Sequence, residues 1–248
     1  MTDRRVIKLT GKDVLPFLQG LVSNDVLPLA KGPGVVWAAL LTAQGKYLAD
    51  FFVVNTGDAL LLDLPEGQAD STLQRLSMYR LRADVHMVPT DIPVSRGVGP
   101  APEGALPDPR HTDLGWRLYA PCPAEDVDWD AVRVRHVIPE SGIELIPNES
   151  YLLESGFERL HGVDFRKGCY VGQEVTARMK HKTLLRKGLV RVQLSGPVPV
   201  GTSVLADGKD VGTVYTQSGG HGIAYLRFDR TEGPMLAGDV TVELVAGS

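Results

Sequence analysis

Hydrophobic and polar positions follow two rhythms along this chain, and the rhythm changes late. Val6-Ile7-Lys8-Leu9 reads as a short strand. Val14, Phe17, Leu18 and Leu21 then recur at i, i+3, i+4 and i+7, one apolar face of an amphipathic helix. Pro16 falls near the first turn if Gly11 to Asp13 form the cap, where a missing N–H costs least. A β-meander follows: Val35 to Thr42 is apolar, Gln44-Gly45 turns, Tyr47 to Val54 returns, Thr56-Gly57-Asp58 turns again and Leu60 to Leu64 makes a third run. Asp70 is placed to cap a helix through Arg80 with Leu73 and Leu76 inward, and Val85 to Val88 adds a further strand.

From Pro89 to Pro109 proline and glycine take over. Gly97-Val98-Gly99 has the spacing of a dinucleotide loop, but Pro100 and the lack of a strand–turn–helix frame make it a connector. Gly115 to Ala120 reads as a strand, Asp128 to His136 as a helix and Tyr151 to Leu160 as a short helix. After Lys182 the period becomes two. Leu189 to Leu194, Val211 to Tyr215, Ile223 to Phe228 and Val240 to Val245, with a turn at Asp207-Gly208-Lys209, read as a small antiparallel barrel or sandwich. Patterning alone gives α+β followed by all-β.

Composition narrows the setting. A chain of 248 residues, 43% hydrophobic, can bury a substantial core in one domain or a few small ones. No apolar run approaches the roughly 18 residues a membrane span needs. Met-Thr-Asp-Arg-Arg reads as no signal peptide, so a cytoplasmic home without membrane attachment is expected. The two cysteines, Cys122 and Cys169, provide no disulfide framework, and without C-x-x-C or H-E-x-x-H no dedicated metal site is expected. The formal charge of -4 argues against general nucleic-acid binding. Yet Arg166 to Lys187 carries seven Lys or Arg against one acid, Glu174. That window is either a solvated face or a rim that attracts a polyglutamate tail, a phosphate or an RNA backbone.

The most distinctive run is Lys167-Gly168-Cys169-Tyr170-Val171-Gly172-Gln173-Glu174. It sets a cysteine after two cations, Arg166 and Lys167, and before a segment that can start a helix. Both features favour the thiolate, the reactive form. On spacing alone a lone cysteine is as readily a small buried hydrophobe. The run resembles the K-G-C-Y-x-G-Q-E signature of the YgfZ family, folate-binding proteins related to the aminomethyltransferase (T-protein) of the glycine cleavage system. Phe17-Leu18-Gln19-Gly20-Leu21-Val22-Ser23-Asn24-Asp25-Val26, then Leu40-Leu41-Thr42-Ala43-Gln44-Gly45-Lys46, Asp50 and Leu81-Arg82 fall in that family's order, so the resemblance covers nearly the whole chain.

The resemblance implies a T-protein-like ring of two interleaved α+β units (residues 1–30 with 92–182, and 31–91) and a C-terminal β-barrel over 183–248, around a folate cleft. It implies an accessory factor for assembly or repair of [4Fe–4S] enzymes, tRNA-modifying ones included. Such a factor binds tetrahydrofolate or a derivative, meets cluster-assembly proteins or their client enzymes, and works through Cys169. Asp50, inside an otherwise apolar run, is open to a structural salt bridge or a functional role, and by the resemblance it takes the place of one of two adjacent T-protein acids, here Ala49-Asp50. Gly115-Trp116-Arg117-Leu118 stands where T-protein reads the pteridine with a glutamate, and Arg117 offers donors only, so folate recognition is weaker or differently built. Asn24 and Asp25 either line the cleft or perform turn chemistry. Tyr170 stacks on a ligand or packs. Gln173 and Glu174 hold the cysteine loop or cap the next helix, with Arg178 an i,i+4 partner for Glu174. Two other readings stay open: a folate-dependent one-carbon transferase using Asp50 as a base or electrostatically, and a tRNA-binding module.

Overall fold

The computed structural model describes residues 3–182 and 184–245; the side chain of Lys182, part of the basic window, lies outside what is described, as do residues 1–2, 183 and 246–248 of the expected units. The chain forms two compact units, Met1–Val127 with Glu158–Val175, and Asp128–Phe157 with Thr176–Ser248.

The first unit is built on an antiparallel sheet of β1 (Arg4–Thr10), β2 (Gly34–Leu41), β3 (Tyr47–Asn55), β4 (Leu60–Pro65) and β5 (His86–Thr90), in the order β2-β3-β4-β1-β5. The sequence-based units separate 1–30 from 31–91; here β1 lies between β4 and β5 of that second segment. One face of the sheet packs on α1 (Val14–Gln19) and α2 (Glu66–Arg80). Ile7, Leu9, Val14, Leu18, Leu62 and Leu76 share that core. The run of nearly all-buried positions in β3 and β4 shows that the other face is covered too. Because strand side chains alternate, that second face carries Trp37, Asp50, Phe52 and Asp63, paired across the sheet as Trp37 with Phe52 and Phe52 with Asp63. Its cover includes a three-stranded sheet of β6 (Ser95–Gly97), β7 (Leu106–Pro107) and β8 (Trp116–Leu118). The proline- and glycine-rich stretch is therefore partly strand and not only connector. Its G-x-G run holds a carboxylate of the protein itself, with the Val98 and Gly99 N–H groups donating to Glu125 Oε2 at 2.8 and 3.1 Å.

The second unit joins α3 (Trp129–His136), capped by Asp128 accepting the Ala131 N–H at 2.9 Å, to a closed antiparallel barrel. Its strands are β9 (Lys187–Leu194), β10 (Thr202–Ala206), β11 (Lys209–Ser218), β12 (His221–Arg227), β13 (Met235–Ala237) and β14 (Val240–Leu244), in the order β10-β11-β12-β9-β14-β13. Alternate residues Val190, Val192 and Leu194 point inward with Val204, Val214 and Leu226. The period-two tail thus closes as a barrel. Two expectations differ. Residues 151–160 form turns, not a helix, because Gly156 sits at φ +76° and the Phe157 N–H reaches back to Leu152. The second helix starts at Glu66, and Asp70 pairs with Arg5 at 2.5 Å instead of capping it. Helix α4 (Gln173–Lys182) follows the signature loop. Among the described residues no helix is long and apolar enough to cross a membrane.

Candidate functional site

The chain leaves α1 through Gln19 to Asp25, and hydrogen bonds hold this bridge on both sides. The Ser23 hydroxyl donates to the Gly162 carbonyl at 2.6 Å and accepts the Ala39 N–H at 2.9 Å. The Asn24 amide donates to the carbonyls of Trp37 at 2.8 Å and His161 at 2.6 Å. Asp25 accepts the Leu27 N–H at 3.1 Å, the turn chemistry that its residue type favours. Beside the bridge opens a cavity of about 740 Å³, lined by Asn24, Asp25, Val36, His161, Phe165 and Arg166 among others. Asn24 and Asp25 are therefore both turn-makers and cavity wall.

The signature loop is fastened to this wall at one end and to the meander at the other. Lys167 Nζ donates to the carbonyls of Gln19 at 2.9 Å, Val22 at 2.5 Å and Asn24 at 2.9 Å, and lies 4.9 Å from the centre of the Tyr170 ring. Gln19 ends α1, where carbonyls lack intrahelical partners, Val22 and Asn24 lie beyond it, and one lysine donates to all three. Burial pushes the Lys167 ammonium down to about 8, against the pull of Asp25 and Asp164. At the far end Gly172, at φ +83°, lies so close to the β2–β3 turn that a Cβ would stand 2.5 Å from the Thr42 carbonyl oxygen. Gly45, at φ +73°, approaches Val175 in the same way, at 2.8 Å. The two glycines belong to separate sequence motifs and meet in space.

Between these anchors Gly168 and Cys169 stand exposed, and beyond its own chain neighbours no atom lies within 4 Å of where a Gly168 Cβ would be. Cys122 is only partly exposed. The cations expected at the sulfur have other duties. Lys167 faces inward, and the exposed Arg166 guanidinium lies 3.9 Å from Asp164. Tyr170 is buried. Gln173 opens α4, its N–H donating to the Tyr170 carbonyl at 3.2 Å, while Glu174 and Arg178 lie exposed on that helix.

Asp50, Trp116 and Arg117 are placed elsewhere, on or over the second face of the sheet. Asp50 is buried, with Oδ2 accepting from Trp37 Nε1 at 2.8 Å and Oδ1 from the Tyr47 hydroxyl at 2.7 Å. Buried Trp116 donates to the Gly99 carbonyl at 3.1 Å. Arg117 is 1% exposed and bridges two buried carboxylates, Asp63 at 2.6 Å and Asp108 at 3.4 Å, with its guanidinium carbon 3.9 Å from the centre of the Phe52 ring. None of the three is among the cavity-lining residues. Sequence reasoning passed over Ser23, Asp63 and the three-carbonyl seat of Lys167. An acid at position 63 inside an apolar strand was the available signal for a buried partner.

The fold is that of a T-protein-like α+β protein with a closed C-terminal barrel. The glycine cleavage system aminomethyltransferase T from Bartonella henselae matches it with a TM-score of 0.74, over 98% of this chain and 82% of that chain, at 13% identity, a likeness of fold alone. Residues 186–246 match the family described as CAF17, C-terminal beta-barrel domain. The iron-sulfur cluster assembly factor IBA57, mitochondrial, of Mus musculus is 30% identical over 98% of this chain and 81% of its own length. Its Homo sapiens counterpart is also 30% identical, over 94% and 78%. The chain belongs to the IBA57 family of iron–sulfur cluster assembly factors. The cytoplasmic location expected from the sequence is corrected by these relatives, which are named as mitochondrial.

Proposed function

We propose that this chain serves the assembly of iron–sulfur clusters, with Cys169 as its working thiol. The observation that carries the reading is an exposed cysteine on a loop fastened at both ends, in a chain of this family. A cluster is held by several thiolates, and this chain has two cysteines, so partners or client enzymes complete the ligand set. As the Cys169 thiol loses its proton to solvent, its sulfur replaces a ligand of the delivering partner on one iron of the cluster, and is itself replaced when a thiolate of the client takes that iron.

Reduced folate is proposed as the ligand of the cavity beside the loop. About 740 Å³ lies within the range of about 300–1,000 Å³ usual for small-molecule pockets. Val36 and Phe165 offer apolar surface to a flat ring, Asp25 and Asp164 offer acceptors to a pterin's N–H edge, and Arg166 offers a cation to a glutamate tail. These residue types fit the group in kind. When bound, a reduced folate would supply a carrier of one-carbon units. The chain's own contribution is to bind it beside the thiol loop.

Two measurements test the reading. In cells lacking the protein, [4Fe–4S] enzyme activity should fall and return with the wild-type chain; no fall would overturn the assembly role. Calorimetry with 5-formyltetrahydrofolate should give heat with the wild type and weaker binding with Asp25→Asn. Titration with tRNA should give none. Heat from tRNA alone, lost with salt, would favour the RNA-binding reading.

A further inference from the structure

We propose that Lys167 is the positioning residue of the signature loop: its ammonium is a built-in cation, seated among three main-chain carbonyls of the cavity wall, that fixes where the Cys169 thiol stands. The inference rests on the reading that this loop carries the working thiol. An ammonium has three N–H donors, and the carbonyls of Gln19, Val22 and Asn24 supply three acceptors within 2.9 Å. Their oxygens converge on one buried point, so a neutral side chain there would leave them facing one another without donors. An acceptor shielded from water and left without a donor is destabilising, so loss of the ammonium should loosen the loop that it holds. A lysine has the shape for this seat and an arginine does not, because a planar fork cannot direct its N–H groups to three acceptors around one point.

The seat also links two parts of the site. Asn24 gives its carbonyl to Lys167 and its side-chain amide to Trp37 and His161, and it lines the cavity. Lys167 is two residues before Cys169, and Gly172 closes the loop three residues after it. The thiol therefore hangs between a lysine seat and a glycine contact. Asp25 and Asp164 supply the negative charge near the ammonium, and the Tyr170 ring packs on it.

Hydrogen exchange on the full chain tests the proposal. Lys167→Met and Lys167→Arg should each speed exchange about tenfold in residues 22–26 and 164–172 while leaving the barrel strands unchanged. In Lys167→Ala, ammonium chloride should restore slow exchange by refilling the seat, and sodium chloride at the same concentration should not. Wild-type exchange in Lys167→Met or Lys167→Arg would overturn the proposal. So would a rise spread evenly over β1–β5 that ammonium does not reverse, the mark of a merely structural lysine. If Lys167→Met fails to fold, the Lys167→Arg and ammonium arms decide. Cys169→Ala should leave loop exchange as in the wild type, so loss of cluster activity in that variant reports on the assembly role and not on the seat.

Discussion

Replacing Arg117 with methionine separates a structural arginine from a ligand-reading one. The guanidinium is enclosed, with side-chain exposure of 2% against 0% for both Asp63 and Asp108. Removing one member of a buried ion pair costs about 3–5 kcal/mol, because the other charge stays buried. Asp63 keeps Arg4 at 2.6 Å and the Tyr119 hydroxyl at 2.9 Å, and methionine still covers Phe52, so the low end, about 3 kcal/mol, is expected. At about 2–4 °C per kcal/mol for a chain of this size, the melting temperature should fall by about 6–12 °C. Burial alone would raise the Asp63 carboxyl, but Arg4 and Arg117 hold it below the ordinary value; Asp108 is held low in the same way by Arg110 and Arg117. A depressed carboxyl contributes stability that is complete above the unfolded pKa of about 3.9 and is lost as pH falls through the folded one. The gap between wild type and variant should therefore be widest near neutral pH and narrow in acid. Thermal unfolding followed by circular dichroism across pH measures both effects. A melting temperature within a degree or two of wild type, together with weakened folate binding, would refute the structural role.

Other outcomes follow from the loop. Gly172→Ala should lower stability by more than the roughly 1–2 kcal/mol of left-handed backbone strain, because its Cβ also meets the Thr42 carbonyl; a neutral melting temperature would contradict the close approach. Gly168→Ala should change stability by no more than about 0.5 kcal/mol, since open space surrounds that position, and a large loss by urea unfolding would show otherwise. Native-state alkylation followed by mass spectrometry should label Cys169 well before Cys122, given their exposures; equal rates would count against an accessible thiol.

Much of the fold was legible because burial imposes a period. Val14 and Leu18 fell on one helix face, and the alternation after residue 182 closed as a barrel. The turn series at 151–160 was not, because Gly156 sits at positive φ, which hydrophobic spacing does not reveal. Asp50 and Arg117 show a second limit. A polar residue in an apolar run announces a partner without naming it, and here Trp37, Tyr47, Asp63 and Asp108 fill that place. The meeting of Gly45 with Gly172 joins distant parts of the chain and is written only in three dimensions.

The most direct test of the working thiol is [4Fe–4S] enzyme activity in cells lacking the protein and supplied, at equal expression, with wild type, Cys169→Ala or Cys122→Ala. The exposed, fastened thiol leads to activity from wild type and Cys122→Ala and a return to the deletion level with Cys169→Ala. Full activity from a folded Cys169→Ala would contradict it.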